Sequence, residues 1–427
     1  MATRRRILTA GAALGAASFF PACQTTPTRR RLGPNERLDL GIIGVANRGA
    51  ANLDGVASEN IVALCDVDES YLGEAGTRFP AAQRFVDYRE MLAKARLDAV
   101  VISTPDHTHA PATIAALEAG LDVYCEKPLT FSVAEARAVV ELARKQRAVT
   151  QMGTQIHATS NYRRAVELVQ SGVLGSVHTC HAWVDKAWGG GERPRDTPPV
   201  PAGLHWDLWL GPARPRPYHP DYAPANWRRW WEFGGGTLGD MGCHLIDLAF
   251  WALDLEHPTR VASEGPAPHA ETAPLALRAR WEFPARTVAG RRHGPLTLHW
   301  SDGGLRPAPI EAGTIENWGM GVLFEGEHGS LLVDYDRWKL FPEERFRDFV
   351  APPPSLAESI GHHAEWIAAC KSRGPTTCSF DYAGPLSETV LLGNVAFRAG
   401  AGFDWDAARM RASTREAQRY LAREPRS

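Results

Sequence analysis

The chain reads as an α/β protein: an N-terminal doubly wound parallel sheet, then a second domain of mixed helix and strand. Three observations predict this. Short apolar runs alternate with helical runs between residues 37 and 153. The first apolar run leads into a glycine-rich turn. The second ends on Asp66, twenty-two residues after the first glycine of that turn, Gly44.

In "LDLGIIGVANRGAANL" a short strand gives way to a tight turn and a helix start. Gly44, Ala46 and Gly49 stand at the three glycine positions of G-x-G-x-x-G. The first permits the sharp turn, the second lets backbone approach a pyrophosphate, and the third lets helix and strand pack closely. Turn amides, with Asn47 and Arg48, and the helix N-terminus would face the phosphates. Ala46 places a methyl where the motif has a glycine. The next strand, "NIVALCDVD", ends at Asp66, where a carboxylate accepts hydrogen bonds from an adenosine ribose and repels a 2′-phosphate. Asp68 adds to that repulsion, so NAD is expected rather than NADP.

"DAVVIST" and "LDVYCEKP" are further buried strands that end in polar residues. Ligands bind at the carboxyl ends of strands in such sheets. Thr104, Asp106, His107, His109, Glu126 and Lys127 fall there. His107 and His109 alternate like a metal pair, but no third ligand lies near. No metal is expected, and His109 is read as solvated or as facing the cofactor.

Composition excludes several classes. The chain has 427 residues, 44% hydrophobic and 22% charged, with a formal net charge of −2, so no nucleic-acid surface is implied. Seven cysteines without a C-x-x-C read as buried reduced thiols. Residues 1–23 read as a twin-arginine-type export signal: Arg4, Arg5 and Arg6, a short apolar run, then "FFPAC". Cys23 is a possible lipoprotein cleavage site and lipid anchor. The expected location is therefore periplasmic or membrane-anchored, or cytoplasmic if the signal is not used. Residues 24–36 read as a linker.

"GIIGVANRG", "STPDHTH", "YCEKPL" and "GDMGCHLID", in this order, resemble the Gfo/Idh/MocA oxidoreductases, of glucose–fructose oxidoreductase and inositol dehydrogenase type, in an exported form. The resemblance runs from about residue 38 to 402. It implies a Rossmann domain over 37–153 and a substrate and oligomerisation domain over 154–402 with a large, mostly antiparallel sheet. It implies a homo-oligomer, dimer or tetramer, joined through that sheet. It also implies that Lys127 lies beside the nicotinamide and that Asp240 and His244 face the substrate carbon. Residues 403–427 read as a charged, peripheral tail.

In "GGGTLGDMGCHLIDLAFWAL", Asp240 and His244 are four apart and share a helix face. Oxidising a carbinol needs a base for the hydroxyl proton, a role that suits histidine. Lys127 beside a cationic nicotinamide is expected to have a lowered pKa. A metal cluster of Asp240, Cys243 and His244 is the poorer reading, because adjacent helix residues diverge. Gln155, His157 and Tyr162, at the bridge into the second domain, and Trp227 and Arg228 are the expected substrate contacts. Seven tryptophans lie between Trp183 and Trp231. Most are expected to staple long loops to the sheet, and some to stack on sugar rings.

An exported NAD protein lacks a cytoplasmic cofactor pool. The expected function is hydride transfer on a sugar, polyol or glycoside with tightly bound, recycled NAD: a glycosidase, epimerase or sugar–sugar oxidoreductase. A sugar or polyol dehydrogenase with dissociable NAD is the alternative, and a non-catalytic sugar-binding lipoprotein the second alternative.

Overall fold

A computed structural model of the protein describes residue 33, residues 35–424 and residue 426. The expected export signal over 1–23 with Cys23, and most of the expected linker over 24–36, lie outside the described residues.

The first domain contains β1 (Asp39–Ile43), α1 (Arg48–Gly55), β2 (Asn60–Cys65), α2 (Glu69–Arg78), β3 (Gln83–Phe85), α3 (Tyr88–Lys94), β4 (Ala99–Ile102), α4 (Asp106–Glu118), β5 (Asp122–Glu126), α5 (Val133–Gln146) and β6 (Thr150–Gly153). The six strands pair in parallel in the order β3-β2-β1-β4-β5-β6. Strands β4 and β5 are buried along their whole length; β4 is apolar throughout, and β5 carries Asp122 and Glu126 at its two ends. The order reverses at β1, so a crevice opens beyond the carboxyl ends of β1 and β4. Local chemistry starts the helices: Asp68 caps α2, Asp87 caps α3, and Ser132 with Glu135 forms a capping box on α5.

The second domain contains α6 (Ser160–Ser171), β7 (Val177–Val184), α7 (Trp206–Leu210), α8 (Gly236–Leu253), β8 (Arg260–Glu264), β9 (Arg278–Phe283), β10 (Arg286–Val288), β11 (Arg291–His293), β12 (Leu296–Ser301), α9 (Ala308–Glu311), β13 (Met320–Gly326), β14 (Gly329–Val333) and β15 (Trp338–Phe341). After these come α10 (His362–Ser372), α11 (Phe380–Ala399), β16 (Phe403–Asp406), β17 (Arg411–Ala412) and α12 (Arg415–Gln418). Its main sheet has nine strands in the order β15-β14-β13-β7-β12-β9-β8-β16-β17. All neighbours are antiparallel except β7 and β12. Helix α8 is buried on nearly every side, with Leu245, Ile246, Leu248 and Ala249 in the main core. Full burial of such a leucine stabilises by about 1.5–3 kcal/mol.

One expectation about the C-terminal part is corrected. The tail from residue 403 is not peripheral: β16 pairs with β8, and Trp405 and Leu421 are buried. The alternation Phe403-Asp404-Trp405-Asp406 is a strand pattern that the surrounding charge obscures. Helix α11 begins at Phe380, and Ser387 inside it accepts a hydrogen bond from Leu129 N at 3.1 Å. Pro385 sits within the helix. Helix α10 returns to the first domain, where Trp366 and Ile367 pack with Leu40 and Tyr124.

Of the seven tryptophans between Trp183 and Trp231, five are buried, and Trp209 and Trp230 build a small loop core with Tyr222 and Phe233. The six described cysteines are buried. No helix among the described residues is long and apolar enough to cross a membrane.

Candidate active site

A cavity of about 670 Å³ lies along the carboxyl ends of β1, β2, β4 and β5 and ends against α8. Gly44, Ala46, Asn47, Arg48, Asp66, Thr104, Glu126, Lys127, Trp227, Arg228, Asp240 and His244, all expected at the site, line it.

Its outer half fits a dinucleotide. Gly44 has φ 83°, and a Cβ there would lie 2.7 Å from the Ser103 carbonyl oxygen. A Cβ on Gly49 would lie 2.1 Å from the Gly44 oxygen, so only glycine lets α1 close onto the turn. Asn47, at φ 51° and ψ −113°, precedes α1 in a backbone conformation that favours glycine. The Asp66 carboxylate accepts from Val45 N and Asp68 N, each at 3.0 Å. A carboxylate has about four acceptor sites, so two remain for ribose hydroxyls. Burial raises Asp66 to about 6, against the hydrogen bonds from Val45 and Asp68.

The inner half joins β5 to α8. Lys127 follows β5, and its Nζ donates to Asp240 Oδ1 at 2.7 Å and to the Asp240 carbonyl oxygen at 2.6 Å. Arg228 Nε donates to the same Oδ1 at 3.0 Å, and its guanidinium lies 4.3 Å from the Trp227 ring centre. One carboxylate thus sits between two cations. Burial would raise Asp240, but Lys127 and Arg228 outweigh it and hold its carboxyl well below the usual range. Burial would lower Lys127, but Asp240, Glu126 and Asp106 outweigh it, and its pKa is raised. With Asp240 at hydrogen-bond distance, the protein's own groups favour the ammonium form of Lys127.

His244 lies one turn beyond Asp240 on α8. Burial, and then Lys127, push it down to about 3, so the ring is neutral at neutral pH. Its Nδ1 is buried with no hydrogen-bond partner among the described residues.

Four other expected residues are not cavity contacts. The ring nitrogens of His109 lie 2.7 Å from the Pro128 oxygen and 2.8 Å from the Thr104 oxygen; it is buried, not solvated, and ties the loop after β5 to the loop after β4. Gln155 donates to Glu126 Oε1 at 2.6 Å and to the Tyr124 hydroxyl at 2.8 Å. His157 pairs with Asp247 at 3.0 Å and stacks on Trp251 at 3.9 Å. The Tyr162 hydroxyl donates to the His244 carbonyl oxygen at 3.2 Å. These side chains position the site from behind. No group of three or more metal-ligating side chains occurs among the described residues. The Asp240, Cys243, His244 reading is thereby set aside, with Cys243 turned into the core toward Ser387.

Asp106, which the sequence places at a strand end, lines the cavity, and so do Lys186 and Trp188, which it did not assign there. Asp106 is buried at the start of α4, and burial raises it to about 7 against Lys127 and Arg228. Its signal was its place at a strand end in "STPDHTH". Lys186 and Trp188 follow β7 and reach the cavity through the fold alone, with Lys186 Nζ 3.4 Å from Met241 Sδ.

The family description "oxidoreductase family, NAD-binding Rossmann fold" matches residues 38–154, and its companion "C-terminal alpha/beta domain" matches residues 160–283. An inositol 2-dehydrogenase of Corynebacterium glutamicum (strain R) is 31% identical over 148 residues, 34% of this chain and 44% of that protein. One from Rubrobacter xylanophilus is 32% identical over 159 residues, 35% of this chain and 45% of that protein. The chain thus spans under half the length of these relatives. In structure it is similar to the WlbA dehydrogenase of Bordetella pertussis, solved with NADH and UDP-GlcNAcA: TM-score 0.62, 17% identity, 87% of this chain and 99% of that one. It is also similar to an aldose-aldose oxidoreductase of Caulobacter crescentus, complexed with glycerol: TM-score 0.58, 17% identity, 86% of this chain and 100% of that one.

Proposed function

The chain belongs to the Gfo/Idh/MocA oxidoreductase family, with its NAD-binding Rossmann fold, and from that premise we propose that it oxidises a hydroxyl of a sugar, polyol or glycoside at the inner end of the cavity. The observation that carries this is the meeting of Lys127, Asp240 and a neutral His244 beside a dinucleotide cradle. NAD, when bound, supplies the two-electron acceptor. Gly44, Ala46, Asn47, Arg48 and Asp66 would hold it, with Thr104, Glu126 and Lys127 at its inner end.

The chain's own residues handle the proton. Lys127 donates a hydrogen bond to the substrate oxygen and stabilises negative charge developing there. His244 accepts the hydroxyl proton. The burial that keeps His244 neutral also makes it a reluctant base, so it depends on Lys127 to acidify the hydroxyl. Asp240 favours the protonated ring once formed and fixes Lys127 and Arg228. Trp188, Trp227 and Arg228 line the place for a sugar ring.

We further propose that NAD stays bound through turnover and that the net reaction is redox-neutral. Support comes from the signal-like residues 1–23 and from the likeness to an aldose-aldose oxidoreductase. Export before lipid attachment at Cys23, and oligomerisation through the nine-stranded sheet, belong to the same proposal. The test is turnover of aryl glycosides, or of paired aldoses, by purified protein without added NAD. Product without accumulating NADH supports recycling. A strict need for added NAD, with NADH rising mole for mole, replaces it with a simple dehydrogenase.

A further inference from the structure

We propose that a second cavity, behind the start of α8, binds a small oxyanion of the phosphate class. It has a volume of about 230 Å³ and is lined by Arg214, Arg398, Arg419, Arg423, Glu232 and Glu424, among others. It is separate from the dinucleotide cavity, and the proposal stands apart from the catalytic reading.

The charges do not balance within the cavity. Glu424 is already paired with Arg214. Glu232 accepts from Arg214 N at 2.8 Å and lies 4.0 Å from Arg216. Arg398 and Arg419 have no carboxylate within ion-pair distance among the described residues. Arg423 has only Glu135, at 3.4 Å, and donates through Nη2 to the His107 oxygen at 2.9 Å. Its Nε and Nη1 are buried and have no hydrogen-bond partner among the described residues. A guanidinium carries five donors and cannot shed its charge, so buried donors of this kind call for an acceptor.

The arginines are held in place by aromatic rings. Arg398 lies 5.2 Å from the Trp231 ring centre and 4.3 Å from that of Tyr420, and Arg423 lies 4.3 Å from that of Phe131. Rings at these distances favour a planar guanidinium and leave its edge free. Burial lowers the pKa of both arginines against the charge of the nearby glutamates. Guanidinium edges match the oxygen pairs of a phosphate bidentately. The volume suits free phosphate with water, or the phosphoryl end of a small metabolite. The walls include Phe131, four residues after Lys127, and Gly234 and Gly235, just before α8. An occupant would brace both segments that carry the active site.

The test is calorimetric titration of the full chain, saturated with NAD so that the dinucleotide loop is filled, with inorganic phosphate against chloride at matched ionic strength. Saturable heat with phosphate, and a higher melting temperature, is the expected result. Arg419→Ala, at an exposed position, should weaken binding about tenfold without changing the melting temperature in chloride. Arg423→Gln should abolish binding, and Arg48→Ala, on the dinucleotide loop, should leave it unchanged. A hexose phosphate in a parallel titration separates the sources: tighter binding than phosphate assigns a metabolite, and no binding assigns the free ion. Absence of saturable heat with both, or equal affinity in Arg419→Ala, overturns the proposal.

Discussion

Lys127 and His244 divide the work of one proton transfer because burial and neighbours push their charges in opposite directions. Lys127 keeps its proton against Asp240, while His244 stays neutral. Replacing Lys127 by Ala or His244 by Ala should each lower the rate by about 10² to 10⁴. NAD binding should be retained, as checked by calorimetry on the same preparations. Asp66 makes a pH prediction. Its pKa is raised to about 6 by burial, so its carboxylate is lost as pH falls through that value. Because this folded pKa exceeds the unfolded one of about 3.9, its contribution to stability is present at low pH and is lost as pH rises through about 6. NAD, which needs the carboxylate as acceptor, should bind progressively more weakly below about pH 6. Asp66→Asn should weaken NAD about tenfold at neutral pH and flatten this dependence in direct titrations. The sequence carried these residues well: a strand end after a glycine turn marks Asp66, and "EKP" marks Lys127. It did not show the ion pair of Lys127, because Asp240 is 113 positions away in sequence and only the fold brings it to 2.7 Å.

Helix α8 was legible as an element because Asp240 and His244 keep a four-residue spacing inside an apolar run. The bridge through Gln155, His157 and Tyr162 was not. Polar residues following a motif read as substrate contacts, yet their partners Glu126, Asp247 and the His244 carbonyl come from other elements. The structure makes them supports, and this yields a separable outcome. His157→Ala leaves Asp247 with the Tyr382 hydroxyl at 2.7 Å but without its buried imidazole. The variant should lose about 3 kcal/mol of stability, the scale of breaking a buried pair. Denaturant unfolding would show that loss, while KM for substrate stays near that of the parent. A large KM change at unchanged stability would return His157 to the substrate contacts.

At the scale of the whole molecule, the two sheets are welded by segments late in the chain. Helix α10 completes the first core, α11 packs between α5 and α8, and β16 extends the large sheet. Propensity and charge made residues 403–427 look dispensable. The pairing partner β8 lies about 140 residues earlier, beyond any local signal. Truncation after residue 402 should therefore be costly: Phe403, Trp405 and Leu421 are buried, each side chain worth about 1.5–3 kcal/mol. Melting of the truncated chain by circular dichroism would show a marked drop, or no folded protein. The central claim is that the cavity between these sheets oxidises a sugar-type hydroxyl through Lys127 and His244. The most direct measurement is single-turnover reduction of NAD, followed by absorbance, with sugars, polyols and glycosides offered to parent protein and to His244→Ala. The account predicts a rapid reduced-cofactor signal with at least one of these substrates in the parent, and a rate lower by about 10² or more in the NAD-loaded variant. Equal rates in the two proteins, or no signal in the NAD-loaded parent with any of these substrates, would contradict it.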